Sequence, residues 1–276
     1  MSNIGSYDER VKDFSWTIAE KELGYKPGDV INIGWYCTDR ICEQGKGSKV
    51  ALHWEGFTGV EKTYTYNDIR LATNTIGAFL RGLGLKDGER VCLFMDRIPE
   101  LYLGFLGIWK IGAIAQPLFS AFGDESLFVR LSNAETSAVI TQKKHAPKVR
   151  KILEKLPHIR HIIIVDHDGV APLKDREVAF SLERSAPVEH FDIHPTKAES
   201  ASVLHYTSGT TGMPKGVKHV HYSLISQYLT AKWALDLRED DIYWCTADPG
   251  WVTGTSYGII APFAIGVTQC VLDAGF

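Results

Sequence analysis

Apolar and polar positions alternate along this chain with two periods, and the alternation predicts strands and helices in turn. Short runs of apolar residues predict strands that are buried on both faces, at 90–95, 114–118, 138–141 and 161–165. Apolar stripes with a period of about 3.6 residues predict the helices that separate them, at 67–84, 99–112, 127–131 and 149–156. Buried strands alternating with helices are typical of parallel sheets. The expected fold class is therefore α/β, with largely parallel, doubly wound sheets and flanking helices.

The same pattern predicts further elements nearer the two ends of the chain. Helices are expected at 7–23 and 222–237, and strands at 50–54, 62–66, 242–246 and 267–272. Residues 166–199 interrupt the alternation of strands and helices, because they are rich in charge and proline. We interpret them as a surface connection. The predicted domains are a first α/β subdomain with an N-terminal extension, that connection, and a phosphate loop with the start of a second subdomain, at 1–165, 166–200 and 201–276.

Residues 206–219, reading YTSGTTGMPKGVKH, carry the clearest chemical signal. Glycines allow positive φ and bring amide N–H groups close to an anion, hydroxyls add donors, and lysine adds a compact positive charge. The P-loop of nucleoside triphosphatases needs Gly-Lys followed by Ser or Thr. Here Met213 and Pro214 precede Lys215, and Gly216 stands where that hydroxyl belongs, so the loop is not expected to open a helix.

This run resembles the signature loop of the adenylate-forming superfamily, which includes the acyl-CoA synthetases. The resemblance implies a partial N-terminal domain of the adenylate-forming fold. It also implies a loop that holds the β- and γ-phosphates of ATP while a carboxylate attacks the α-phosphorus, with Lys215 and Thr207 as catalytic residues. The implied phosphate-binding residues are Thr207, Ser208, Gly209, Thr210, Thr211, Gly212 and Lys215.

A second segment, 246–254, reads TADPGWVTG and resembles the AMP-forming acetyl-CoA synthetases in particular. The resemblance implies an acyl pocket bordered by Trp251, Val252 and Thr253, in which the indole would shorten the space for the carboxylic acid. The competing interpretation of Trp251 is a core aromatic at a strand end. Because Gly254-Thr255 stands where this family often has Gly-His, propionate or another short acid stays open beside acetate.

Composition excludes several other classes of function. A net charge of −3 gives no support for general nucleic-acid binding, and no apolar run reaches the roughly 20 residues of a membrane span. The polar N-terminus fits neither a secretory signal nor a transit peptide, so a cytoplasmic location is expected. Five scattered cysteines favour free thiols. His219 and His221 have the spacing of two metal ligands, but no third ligand accompanies them, so no metal site is predicted.

The resemblance implies a two-step reaction with small-molecule substrates: magnesium ATP and acetate form acetyl-adenylate and pyrophosphate, and CoA then displaces AMP. It covers only about the first half of a complete synthetase, so the expectation is a truncated chain without the C-terminal domain, inactive alone. Two alternatives stay open: activation of another short or medium-chain acid, and a non-catalytic nucleotide-binding module that docks a partner. The oligomeric state is unknown.

Overall fold

The computed structural model describes residues 2–208 and 212–273, which form two compact units. The four-stranded unit comprises the described residues up to Arg70, Pro195–Ser200 and the described residues from Val220 onward. The seven-stranded unit comprises Leu71–His194 and Ala201–His219. The units are interleaved along the sequence, unlike the three consecutive segments expected above. That three-segment division stays a prediction about folding domains.

The secondary structure alternates as the hydrophobic pattern predicts. The helices are α1 (Tyr7–Lys12), α2 (Thr17–Leu23), α3 (Ile33–Cys37), α4 (Asp39–Ile41), α5 (Tyr66–Gly82), α6 (Pro99–Lys110), α7 (Asp124–Asn133), α8 (Ala146–Ile152), α9 (Ser223–Ala234), α10 (Val252–Thr255) and α11 (Ala261–Ile265). The strands are β1 (Val50–Glu55), β2 (Glu61–Thr65), β3 (Arg90–Phe94), β4 (Ile114–Pro117), β5 (Ala138–Thr141), β6 (His161–Ile164), β7 (Glu177–Ala179), β8 (Ala201–Thr207), β9 (Lys215–Val220), β10 (Ile242–Trp244) and β11 (Thr268–Leu272).

The seven-stranded unit is built on a sheet with the order β7-β6-β5-β3-β4-β8-β9. Neighbouring strands from β7 to β8 all pair in parallel. Alternate residues of the central strands face opposite helix layers. Val139 and Ile162 pack in the core cluster that includes residues of α7 and α8, whereas Ile140 and Ile163 line a small apolar cavity with residues of α5 and α6. Burial on both faces explains the continuous apolar runs, and the predicted α/β class is confirmed.

The four-stranded unit contains a sheet with the order β10-β11-β1-β2. The β1–β11 and β10–β11 ladders are parallel, and the β1–β2 ladder is antiparallel. One face is buried through Leu52 and Gln269, which lie opposite each other in register, while the paired His53 and Thr63 lie on the other, more open face. The buried Tyr66 side chain donates a hydrogen bond to the Val267 carbonyl, 2.9 Å away, and so fixes the start of α5 in this unit.

Two local predictions need correction. The single helix expected at 7–23 is two helices, because the Ser15 hydroxyl accepts hydrogen bonds from the backbone N–H and the hydroxyl of Thr17 and starts α2 afresh. The charged segment 166–199 also contributes a strand, since β7 pairs with β6. Its buried carboxylate, Glu177, is paired with Arg150, and a charged three-residue strand carries no hydrophobic pattern that sequence reasoning could detect.

Candidate functional site

Strand β8 brings the predicted phosphate loop to the carboxyl edge of the seven-stranded sheet. It runs parallel to β4, with Val203 opposite Ala115. Its residues are buried from Ser202 to His205 and become exposed at Thr207 and Ser208. In open parallel sheets, ligands bind outside the carboxyl ends of the strands. The exposed hydroxyls therefore lie at the edge of the sheet where a ligand is expected.

The base of this strand is fixed by hydrogen bonds at Ser202. The indole Nε1–H of Trp109, on α6, donates to the Ser202 carbonyl oxygen at 2.8 Å. The Ser202 hydroxyl in turn donates to the His219 carbonyl at the far end of β9, 3.2 Å away. We call β8 the incoming arm of the loop and β9 the outgoing arm. These hydrogen bonds join the two arms to each other and join β8 to helix α6.

The two arms of the loop hold four of the seven predicted phosphate-binding residues. Thr207 and Ser208 are exposed at the end of β8, and Lys215 is exposed at the first position of β9. Gly212 has a φ of 83°, which favours glycine. Gly209, Thr210 and Thr211 lie outside the described residues. The element after the loop is strand β9, which confirms that the loop does not open a helix as a P-loop does.

Two histidines pack beside the loop without adding charge to it at neutral pH. The rings of His205 and His219 meet edge to face, with centroids 5.5 Å apart. Burial, reinforced by the neighbouring His219, lowers the pKa of His205 to about 4, and burial also lowers the pKa of His219. Both imidazoles are therefore neutral at pH 7. The positive charge on the outgoing strand comes from the exposed ammonium groups of Lys215, at its first position, and Lys218.

Sequence reasoning missed the contacts of Tyr206, the residue directly before Thr207. Burial raises the pKa of Tyr206 to about 12, so its hydroxyl stays protonated and donates to Asn133 Oδ1 at 2.7 Å. The Arg130 guanidinium carbon lies 5.9 Å from the centre of the Tyr206 ring. Both partners are on α7, where a polar i, i+3 pair is indistinguishable in sequence from an ordinary solvated face.

The predicted acyl-pocket residues belong to the four-stranded unit and lie at the start of α10. Trp251 is 58% exposed and Val252 44% exposed, so neither is a core side chain there. Asp248 shapes the turn before them: its carboxylate accepts from Gly250 N at 2.7 Å, and its carbonyl accepts from Trp251 N at 2.9 Å. The indole therefore projects from a well-defined turn. Thr253 is also exposed.

His221 has a structural contact in the four-stranded unit. Its Nδ1 accepts a hydrogen bond from the backbone N–H of Ile33, at the first residue of α3, at 3.1 Å. Within residues 2–208 and 212–273, no group of three or more His, Cys, Asp or Glu side chains is arranged to hold a metal ion. Over the same ranges the cysteines are thiols, and no helix is long and apolar enough to cross a membrane.

Comparison with known families gives a match over most of the chain. The profile described as "AMP-binding enzyme" matches residues 39–275. A Bacillus subtilis acetyl-coenzyme A synthetase is 41% identical over 275 residues, covering 99% of this chain and 47% of that relative. An acetyl-coenzyme A synthetase of Pyrobaculum arsenaticum is 32% identical, covering 89% of this chain and 40% of the relative.

A solved structure, an acyl-CoA synthetase of Brucella canis, matches with a TM-score of 0.87 and 29% sequence identity. The match covers 98% of this chain and 48% of that one. The chain thus shares the adenylate-forming fold over nearly its whole length. It spans about half the length of the relatives it matches.

Proposed function

This chain belongs to the AMP-binding enzyme family, and we propose that it serves the ATP-dependent activation of a short carboxylic acid, with acetate as the first candidate. The acid attacks the α-phosphorus of ATP, the bond to the β-phosphate oxygen breaks, and acyl-adenylate and pyrophosphate form. The thiol of CoA then attacks the acyl carbonyl and AMP leaves. The protein would be an AMP-forming acyl-CoA ligase, and we propose a cytoplasmic location for it.

The observation that carries the proposal is the exposed cluster of donors at the carboxyl edge of the seven-stranded sheet. Hydroxyls of Thr207 and Ser208 end one arm of the loop, and the Lys215 ammonium starts the other. We propose that these groups, with Gly209, Thr210, Thr211 and Gly212, hold the β- and γ-phosphates. Charge developing on the leaving pyrophosphate would be stabilised by donors already in place, and no proton transfer by Lys215 is required.

The acid would be selected by its length. We propose that Trp251, Val252 and Thr253 border the acyl group, with the rigid indole limiting its size. Their exposure in the four-stranded unit leaves them accessible to a ligand. The Gly254-Thr255 sequence keeps propionate and other short acids as the second candidate class. A panel of acids of increasing length, compared by activity of the complete protein, decides between them.

The residues present fit the polyphosphate of ATP, because hydroxyl donors and a lysine cation suit phosphate oxygens. Magnesium would arrive bound to ATP, and we assign it no ligand among the described side chains. CoA enters the proposal as the second substrate, without assigned binding residues. Since the chain spans 47% of the Bacillus subtilis relative, turnover is a proposal for the complete protein.

A binding experiment on this chain tests whether the loop binds the phosphates of ATP, without requiring turnover. ATP is titrated calorimetrically into the wild-type chain and into Lys215→Ala. A charge-assisted hydrogen bond contributes about 1.5–3 kcal/mol, so Kd should rise roughly 10- to 100-fold. Lys218→Ala is the matched control, because Lys218 is an exposed lysine on the same strand. Equal affinity for the wild-type chain and Lys215→Ala would contradict the proposal and favour a docking module that binds nucleotide for another purpose.

A further inference from the structure

The ring of Tyr206 lies at the junction of the two arms of the phosphate loop. On the incoming arm it is bonded directly to Thr207, the first proposed phosphate ligand. On the outgoing arm it lies close to Gly216, which follows Lys215. A Cβ atom at Gly216 would lie 3.5 Å from the Tyr206 ring and 3.2 Å from Leu204 Cδ1. A single side chain therefore leaves little room for a side chain at Gly216 and is itself bonded to Thr207, so it lies beside both proposed phosphate-binding groups.

Helix α7 holds this ring from outside the loop. The Tyr206 hydroxyl donates to Asn133 Oδ1 at 2.7 Å. One turn earlier on the helix, Arg130 lies with its guanidinium carbon 5.9 Å from the ring centre. Residues three apart on a helix share a face, so the two contacts come from one surface of α7.

Arg130 is itself held by contacts with its neighbours, which keep its guanidinium group beside the Tyr206 ring. Its guanidinium carbon lies 4.3 Å from the centre of the Phe122 ring, within the range of a cation–π contact. Its Nη1 donates to the Ser126 carbonyl oxygen at 2.8 Å. The Gln116 side chain, on β4, donates to the Arg130 carbonyl at 3.2 Å. The helix face that holds Tyr206 is thus tied to a strand of the same sheet.

We propose that Tyr206 and Asn133 are positioning residues that set the spacing between Thr207 and Lys215. The inference rests on the proposed phosphate-binding role of the loop and adds two residues to it. Neither residue needs to touch ATP. The phenol, held by Asn133, keeps the two arms at a fixed separation before ATP binds, and this reduces the ordering that binding would otherwise require.

The test is a double-mutant cycle read out by ATP affinity. Tyr206→Phe removes only the hydroxyl, and Asn133→Ala removes its acceptor. A hydrogen bond of this kind contributes about 0.5–1.5 kcal/mol, so each change should weaken ATP binding roughly 2- to 10-fold. The double variant should be no weaker than the weaker single variant, because both remove one interaction. Tyr222→Phe is the matched control, since it loses a tyrosine hydrogen bond to Glu20, 2.6 Å long, in the four-stranded unit.

The dependence of affinity on salt separates positioning from direct charge contact. Lys215→Ala removes a charge and should flatten the dependence of Kd on ionic strength. Tyr206→Phe should raise Kd and leave that dependence as it is in the wild-type chain. The urea midpoint of each variant, compared with that of Tyr222→Phe, measures any general loss of stability.

Each remaining outcome overturns a specific statement. Unchanged ATP affinity in Tyr206→Phe, alongside weakened affinity in Lys215→Ala, refutes the positioning role and leaves the phosphate loop intact. Fully additive losses in the double variant also refute it, since the pair would not act together. If Lys215→Ala binds ATP as tightly as the wild-type chain, the proposed phosphate binding is refuted, and the positioning role with it.

Discussion

Gly254 follows the three proposed acyl-pocket residues, and an alanine at this position should destabilise the four-stranded unit. The glycine is buried in α10. A Cβ atom there would lie 2.1 Å from the Asp248 carbonyl oxygen, 2.4 Å from its carbonyl carbon and 2.7 Å from Pro249 N. All three are backbone atoms, so no side-chain rotation can relieve the overlap. The helix or the Asp248 turn has to move instead.

The size of the effect follows from two opposing contributions. Overpacking of a well-packed site costs about 1–3 kcal/mol. Replacing glycine by alanine inside a helix recovers roughly 0.5–1 kcal/mol. Because the contacts are as short as 2.1 Å and involve backbone, we expect the overlap to dominate and Gly254→Ala to lower the free energy of unfolding by about 1–2 kcal/mol.

Urea denaturation followed by circular dichroism measures this change as a lower midpoint. Gly82→Ala is the matched control, because Gly82 is also helical and a Cβ atom there meets nothing within 4 Å. That variant should unfold at the wild-type midpoint or slightly above it. If Gly254→Ala unfolds at the same midpoint as Gly82→Ala, the close backbone approach does not constrain the segment and the reasoning is refuted.

Three further predictions concern the loop strand and the acyl end. His205 has a folded pKa of about 4, below its ordinary value of 6.5. The unfolded chain therefore binds more protons between these pH values, and stability falls as pH drops through that window. The urea midpoints at pH 7 and pH 5 should differ less in His205→Phe than in the wild-type chain, and His158→Phe, at an exposed histidine, is the matched control. Trp109→Phe leaves the buried Ser202 carbonyl without the indole N–H that lies 2.8 Å from it, and should cost about 1–3 kcal/mol in urea unfolding, whereas no loss would show that the strand is not anchored there. Trp251→Ala should reduce the preference for two-carbon over six-carbon acyl-adenylate analogues, measured by calorimetry, and an unaltered preference would place the size limit elsewhere.

The parallel sheet could be predicted because burial on both faces leaves a continuous apolar run in each strand. The run Ile162–Ile164 faces helices on both sides of its sheet, and four such strands separated by helices are typical of a parallel sheet covered on both faces. Where local polar contacts compete with this pattern, prediction fails. The Ser15 hydroxyl interrupts one helix, and Glu177 places a paired carboxylate in a strand.

Only those residues of the candidate site whose type alone suggests a chemical role could be predicted from the sequence. A loop that combines hydroxyls, glycines and a lysine, here Lys215, indicates a phosphate-binding role. The residues that hold the loop in place carry no such signal. Asn133 meets Tyr206 across 73 positions of sequence, and a polar residue at the end of a helix is ordinary in itself. Contacts of this kind arise from the order of strands in the sheet, which one sequence does not disclose.

That strand order also bears on the proposed phosphate binding, because no helix stands directly behind this loop. A P-loop uses the N-terminus of the following helix, whose amide groups are fixed by the helix itself. Here both arms are strands. The loop is instead held in place by two helices that precede it in sequence. Trp109 on α6 fixes the base of β8, and Asn133 on α7 fixes its end. A strand held at both ends presents Thr207 at a defined position. In the proposed function, Lys215 supplies the positive charge that a helix dipole would otherwise provide.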